Sequence, residues 1–502
     1  MMNGTPLTGS VADDVMAVAN KLISKAPNDA IRNDARVIAD RLSGPLRVAI
    51  AGRVKAGKST LLNALVGERL APTDAGECTK VVSVYRRGAG YAVSAMLTDG
   101  STRPLSFNRG GGSLSVELGG LTEKDIQALD VSWPTSTLET ITLIDTPGLA
   151  SINDENSRRT REFLEHDGDK PSDADAVVYL MRHAHRSDVA FLDAFMDRSV
   201  TAASPVNAVA VLSRADEIGA GRLDAMESSA RIASRYEVDP QLKGLCAAVV
   251  PLAGLLAETG LTIREDEVAS LRMLATTDPA VLEQMLLSAD QFCDVANSEL
   301  TVEWRRDLLD RLGMFGVRLA LAEIQSGRAT TAAALGPILV ARSGLNGLRE
   351  LLVRHFAPRA RVLQARTALV GLRSLLRSIT EVAPELASEL DRELERLEAS
   401  TVQFAQVRAA HLISSGAVTF SQQDASDLTT LFSGVGPPQS LRLGSSASSA
   451  EIAETALREV TRWRTRASDP LAHPTLVEVC EVAVRTCESA YAMASATATA
   501  NR

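Results

Sequence analysis

The residues best placed to do chemistry form one short run, Gly52-Arg53-Val54-Lys55-Ala56-Gly57-Lys58-Ser59, followed by Thr60. The spacing Gly-x-x-x-x-Gly-Lys-Ser/Thr suits a polyphosphate. Its glycines let backbone N–H groups turn inward around phosphate oxygens, and a helix starting at the end of the loop adds partial positive charge. Lys58 is expected to reach the β- and γ-phosphates, and the Ser59 hydroxyl to ligate Mg²⁺. The run follows a β-like segment, 46–51, and leads into a helical one, 59–66, the context this pattern requires. A second run, Asp145-Thr146-Pro147-Gly148, closes the apolar stretch 140–144 some 90 residues further on. A carboxylate there can hold the metal through water, and the Gly148 N–H can donate to a γ-phosphate. Four such residues alone mark only a turn. After a phosphate loop and at a strand end they are specific.

Two further positions complete the expected site. Ser213-Arg214-Ala215-Asp216 ends the apolar run 206–212. In the tetrad Asn/Thr-Lys-x-Asp the carboxylate accepts hydrogen bonds from guanine N1–H and N2–H₂, groups that adenine lacks. Here Ser213 and Arg214 replace the first two residues. Asp216 keeps the carboxylate, and the Arg214 stem can still cover the base plane. These replacements leave an ATP-directed site open as a rival. Thr79, at the end of PTDAGECT (72–79) and just before the strand 81–85, is the expected threonine of the metal shell, with Thr73 as the second choice. The metal set is therefore Ser59, Thr79 and, through water, Asp145.

These residues need a scaffold. Short apolar runs at 46–51, 81–85, 140–144, 176–181, 206–212 and 247–252 alternate with helical stretches, which predicts a doubly wound, mostly parallel α/β sheet. The segment 108–120 (NRGGGSLSVELGG) reads as a Gly-rich connection or hairpin. Residues 10–43 read as two amphipathic helices broken at Pro27, with Asn28 or Asp29 as cap. Beyond about residue 260 the strands stop and long helical periods follow. Arg354–Arg377 holds six arginines and no acid, and Glu381–Glu398 holds seven acids. Two antiparallel helices with complementary faces account for this, and anionic headgroups on the basic stretch are the alternative. Residues 414–450 are dense in Ser, Gly and Pro. They read either as a linker or as a flexible tip whose Phe420, Leu431 and Phe432 contact lipid. Helices are expected at 385–412, 450–467 and 475–490, with an Ala/Thr tail.

The whole chain has 502 residues, room for about three domains at roughly 150 each. A net charge of −9 and 4% aromatics argue against a nucleic-acid binder. The five scattered cysteines make no CxxC pair, so no disulfide framework or zinc site is expected and a reducing compartment fits. No leader pattern and no run of 18 apolar residues is present, which reads as cytoplasmic.

The order Gly52–Ser59, Thr79, Asp145–Gly148 and Ser213–Asp216 resembles the guanine-nucleotide site of the dynamin superfamily. PTDAGECT, the gap of about 60 residues and LIDTPGL are similar to its bacterial dynamin-like branch. RLGMFGVRLA (311–320) and ARSGLNGLRELLVRHFAPRA (341–360) are similar to its actinobacterial, mycobacterial members. The resemblance implies a P-loop GTPase domain at 44–260, a helical extension at 261–357, and a helical bundle (neck and trunk) built from 1–43 and 358–502, with a tip near 414–450. It implies hydrolysis of GTP to GDP and phosphate with Mg²⁺. It also implies homo- or hetero-dimers through the G domains, with a paralogue as one option, and peripheral association with the inner face of the plasma membrane to remodel or repair it. A switch that binds GTP and a protein partner without membrane activity is the rival. The residue after the DxxG glycine is Leu149, which cannot orient water as a Gln there does. Lys55 occupies the position where dynamins place a Ser beside a monovalent cation and related families an Arg finger. It is the candidate for that missing charge, beside Lys58, Ser59 and Thr79 in the catalytic set.

Overall fold

The structure is a computed structural model that describes residues 11–68, 70, 81–108, 114–148, 172–195, 207–242, 244–294, 300–414, 416–433 and 436–500. Its centre is a ten-stranded sheet: β1 (Leu46–Gly52), β2 (Val82–Arg87), β3 (Ala92–Leu97), β4 (Thr102–Asn108), β5 (Ser115–Glu117), β6 (Ile126–Trp133), β7 (Ile141–Asp145), β8 (Ala176–Met181), β9 (Ala208–Ser213) and β10 (Val249–Leu252). The spatial order is β10-β9-β8-β1-β7-β2-β6-β3-β4-β5. From β10 to β7 all pairings are parallel. Strands β8 and β9 are buried along their whole length. They are continuous Val/Leu/Ala runs, as strands covered on both faces must be.

The other half of the sheet was not foreseen. β3 to β6 extend it antiparallel, apart from the parallel pair β2–β6. The Gly-rich stretch does join a hairpin, because β4 pairs antiparallel with β5 on its two sides. Strand β4 buries one residue in seven, so it carries almost no apolar run to announce it.

Nineteen helices are described. Before and within the sheet come α1 (Val11–Lys25), α2 (Asp29–Ser43), α3 (Lys58–Val66), α4 (Arg186–Phe195) and α5 (Ala225–Val238). After it come α6 (Gly254–Thr262), α7 (Glu265–Ala275), α8 (Pro279–Met285), α9 (Ala289–Asp294), α10 (Val302–Gln325), α11 (Ala332–Arg342) and α12 (Leu345–Phe356). The last are α13 (Ala360–Ile379), α14 (Pro384–Ser400), α15 (Val402–Ser414), α16 (Gln422–Leu431), α17 (Pro437–Ser440), α18 (Ser449–Ala467) and α19 (Pro474–Ala500).

The helices bury three separate apolar cores. Helices α6–α11 close one with the start of α5, joining Ala225, Leu256, Leu271, Phe315 and Leu339. A second joins α1 and α2 to α13 and α14 through Val15, Leu22, Leu42, Leu369, Leu372 and Leu390. Asn28 caps α2, its side chain accepting from Ile31 N at 2.9 Å. The N-terminal segment thus completes a bundle with a segment more than 300 residues away in sequence. Part of the segregated charge pairs inside it. Arg373 pairs with Glu398 at 2.6 Å, and Lys21 on α1 meets Glu389 and Glu393 on α14. Polar ties join this bundle to the sheet. Arg41 on α2 donates to Ser172 O ahead of β8, and Gln364 on α13 donates to Gly44 O just before β1.

The third core, in α15–α19, corrects the expected tip. Residues 416–433 are not a loose connection. Ser421 caps α16, and Val418, Leu428, Leu431 and Phe432 pack with Trp463, Val479 and Cys487. Phe432 keeps 2% of its surface exposed and Leu431 5%, and Phe420 meets the Trp463 ring edge-on at 6.5 Å. Burying Leu431 and Phe432 stabilises the fold by about 1.5–3 kcal/mol each, so those two are not available to lipid, while Phe420 is half-buried. The C-terminus also differs from expectation. The Ala/Thr tail continues as α19 to Ala500, because Ala favours helix once a packed stretch has nucleated it.

Candidate functional site: a phosphate loop and a base-facing carboxylate

The parallel half of the sheet sets the site. β1, β7 and β9 run the same way, so the loops after them open on one edge, where open α/β sheets bind ligands. Register places Asp145 opposite Ile50 on β1, directly below the phosphate loop. Gly52 ends β1 with φ 146°, and a Cβ there would stand 2.4 Å from the Leu180 carbonyl oxygen of β8. Gly57, at φ 95°, precedes α3 and offers no side-chain cap, which leaves the first-turn N–H groups of α3 for an anion.

Lys58 is buried and folds back over the loop, its Nζ donating to Gly52 O at 3.3 Å and Arg53 O at 3.2 Å. Burial lowers its pKa, and the nearby Asp145 opposes that shift. Ser59 Oγ donates to Asp145 Oδ2 at 3.0 Å. Asp145 Oδ1 is shut from solvent and has no hydrogen-bond partner among the described residues. Desolvation raises the Asp145 pKa to about 6, against the pull of Lys58 and the bonds from Ser59 and Thr146. Thr146 ties this corner to β1 through Ile50 O at 3.0 Å. A Cβ on Gly148 would come within 2.7 Å of Val54 Cγ2, so the two loops approach as closely as glycine permits.

Of the rest of the loop, Arg53, Val54 and Lys55 are exposed, Ala56 is buried and Thr60 lies half-buried. Lys55 holds φ 62°, a strained value for a residue with a side chain. Thr79, its alternative Thr73 and Leu149 lie outside the described residues.

The tetrad behaves unevenly. Ser213 Oγ turns to Met181 O at 3.3 Å. Arg214 takes a left-handed backbone (φ 53°) and donates to Lys55 O at 3.1 Å and to Glu217 at 2.7 Å, tying the base-facing loop to the phosphate loop. Asp216 keeps 7% exposure. Desolvation raises its pKa to about 6. The sequence reading missed one neighbour. A Cβ on Gly313 in α10 would lie 3.3 Å from Asp216 Oδ2. RLGMFGVRLA contains that glycine, but nothing local connects it with residue 216.

The geometry can accommodate a metal-bound nucleoside triphosphate. The buried, unpartnered Asp145 Oδ1 beside the Ser59 hydroxyl is a donor set for a hard cation, and the bare Gly148 leaves room against the loop. Fold and loops together define a P-loop GTPase domain carrying a helical bundle.

Residues 48–199 match the Dynamin family. The isoniazid-induced protein IniC of Mycobacterium tuberculosis (strain ATCC 25618 / H37Rv) is 38% identical over 463 residues, 91% of this chain and 92% of its own. The bacterial dynamin-like protein of Nostoc punctiforme is 35% identical over 126 residues, 23% of this chain and 18% of its own. A solved structure of an oligomerised bacterial dynamin pair covers 99% of this chain and 77% of its own at 13% identity, with a TM-score of 0.35. The chain belongs to the dynamin family, in the bacterial branch that includes IniC. It is a GTP-hydrolysing enzyme.

Proposed function

We propose that GTP hydrolysis at this site is coupled, through closure of two G domains on each other, to binding and reshaping of the plasma membrane at its inner face. The observation that carries the catalytic part is the Ser59–Asp145 pair with one carboxylate oxygen left free. Ser59 and Asp145, joined by Thr79, would hold Mg²⁺, which neutralises charge on the β- and γ-phosphate oxygens when bound. Lys58 exchanges its two loop carbonyls for phosphate oxygens. Gly52–Thr60 and Gly148 cradle the phosphates, and Arg214 and Asp216 take the base.

Lys55 is exposed beside the mouth of the site, and Arg214 holds its backbone. In a closed dimer its ammonium supplies the charge that Leu149 cannot help to place, in the role of a monovalent cation or an Arg finger. Membership of the dynamin family supports assembly of this kind, either with itself or with a paralogue. No described helix is long and apolar enough to cross a membrane, so lipid contact is peripheral here. With Leu431 and Phe432 buried and Phe420 half-buried, contact falls to side chains such as Leu471, 94% exposed in the turn between α18 and α19.

The deciding experiment is GTP turnover per molecule against protein concentration, with and without anionic liposomes, alongside Lys55→Ala. Turnover should rise with concentration and again with lipid, and the Lys55→Ala rise should be lost. A flat profile that liposomes do not alter would favour a nucleotide switch acting on protein partners. ATP competing equally with GTP would mean that Asp216 does not read guanine.

A further inference from the structure

Helix α10 is not continuous. Gly313 has φ 62° and ψ 172°, a backbone region that is essentially glycine's alone. The break ends one helical segment at Leu312 and starts another at Met314. It also faces the base-reading loop: the position of a Cβ on Gly313 is 3.3 Å from Asp216 Oδ2. Asp216 is 7% exposed, and its carboxylate takes its own backbone N–H, with no side-chain hydrogen bond to it among the described residues. The other polar members of its tetrad are tied elsewhere, Ser213 to Met181 O and Arg214 to Lys55 O and Glu217.

The break is held from both sides. Behind it, the Thr259 hydroxyl donates to Arg311 O, and the Arg311 guanidinium bonds Glu267 at 2.8 and 3.2 Å and Thr262 at 3.1 Å. In front, Arg318 donates to Ala220 O at 2.7 Å and Gly221 O at 2.6 Å, clamping the second segment to the loop that carries Asp216. Gly221 completes the fit, since a Cβ there would stand 3.1 Å from Phe315 N. A helical segment that starts at Met314 begins with N–H groups lacking intrahelical acceptors, and with partial positive charge. A kink that served packing alone would not need to meet a lone buried carboxylate.

We propose that Gly313 and the turn after it, Met314–Gly316, form the wall of the purine pocket beside Asp216, and that Gly313 is a specificity-determining position for guanine. This rests on Asp216 reading the base. A purine whose N1–H and N2–H₂ meet Asp216 presents O6 on the same edge. An acceptor there suits a wall of backbone N–H groups, whereas the adenine amino group does not. Any side chain at 313 would crowd Oδ2 and force the break to straighten.

The test is hydrogen–deuterium exchange of the full chain with Mg²⁺ and either GDP or inorganic tripolyphosphate, which fills the phosphate loop without a base. Both should slow exchange in 52–60. Only GDP should slow 311–318 as well as 213–218. If GDP protects 213–218 but leaves 311–318 as tripolyphosphate does, the wall is wrong and Asp216 still reads the base. If neither segment distinguishes the two ligands, the guanine reading fails with it. Gly313→Ala adds a second measure: GDP binding should weaken roughly tenfold or more with tripolyphosphate binding kept. Unchanged GDP affinity in a folded Gly313→Ala protein would overturn the proposal. Should that variant not fold, the exchange pattern of the unaltered chain decides.

Discussion

Asp216 in the nucleotide site and Asp424 in the C-terminal helices are buried to similar depth, 7% and 3% exposed. Their surroundings push them in opposite directions. Desolvation raises Asp216 to about 6, with nothing nearby strong enough to offset it. Desolvation also acts on Asp424, but bonds from Arg462 and Ser421 and the charge of Arg466 outweigh it and hold the carboxyl below its ordinary value. Asp145 sides with Asp216. It is half-buried as a residue, yet its Oδ1 is sealed and unpartnered. The scaffold surrounds Asp424 with enough charged partners to outweigh burial, although burial still raises the pKa of its Asp175. The site leaves two carboxylates short of partners, and a ligand can supply what is missing: guanine N–H groups for Asp216, a hard cation for Asp145.

The most severe way to probe the site half of this contrast is Lys58→Ala. Among the described residues Lys58 bonds only two loop carbonyls. Its removal should cost turnover roughly 10²–10³-fold, as loss of one preorganised donor to developing charge does, and leave the far-ultraviolet circular dichroism unchanged. Turnover near the parent value in that variant would place the chemistry elsewhere.

Next in size is pH. Asp145 and Asp216 titrate near 6 in the folded chain and near 3.8 when unfolded. The nucleotide-free fold therefore holds protons that the unfolded chain has released. The stability these two groups contribute is fully present below about 3.8 and is lost as pH rises through about 6. Binding runs the other way, because metal and guanine need both carboxylates ionised. GDP affinity in Mg²⁺, measured by calorimetry, should fall roughly tenfold or more from pH 7 to pH 5. A flat affinity across that range would mean that the carboxylates are not short of partners at all.

How far this was readable beforehand depends on how local each signal is. The phosphate loop, DTPG and tetrad are contiguous runs whose chemistry is written in four to eight neighbours, and the resemblance to bacterial dynamin-like proteins held over most of the chain. Strands β3–β5 were missed because much of each is exposed and polar residues such as Ser94 and Arg103 interrupt them; β6 is largely buried, but Gln127, Asp130 and Ser132 break its apolar run, and Asp130 pairs with Arg86 on β2. The 414–450 segment misled because serine was taken as a mark of looseness. Here Ser421 and Ser448 are helix caps, the latter in a capping box with Glu451, and the few apolar residues between fall at helical spacing onto Trp463. Gly313 was out of reach for another reason. A glycine inside a helical pattern shows neither its φ nor the residue, 97 positions earlier, that it faces.

The scaffold half can be tested by the same chemical change made in both places. Asp424→Asn removes the charge that Arg462 and Arg466 share, and should lower stability by about 1–3 kcal/mol in urea titration. Asp145→Asn, measured without nucleotide, should leave the midpoint unchanged or raise it, because it removes a charge that burial disfavours. Losses of equal size would erase the distinction between scaffold and site.

The smallest effect belongs to the exposed ladder between α1 and α14, where Lys21 meets Glu389 and Glu393 and Lys25 meets Glu389. Mutual hydrogen bonds raise the Lys21 pKa and lower that of Glu389, so by charge alone this looks like a second saturated cluster. Water competes for every one of these groups, and salt screens them. What distinguishes it from Asp424 is therefore access to solvent, not the number of partners. Lys21→Gln should shift the melting midpoint by no more than about 2 °C, and the shift should vanish in molar salt. The Asp424→Asn loss should persist there, because the Asp424 carboxylate itself is buried, 5% of its side chain exposed, even though Arg462 and Arg466 reach solvent. If salt abolished both losses alike, burial would not be what separates the two clusters, and the contrast with Asp145 and Asp216 would have to rest on partner count alone.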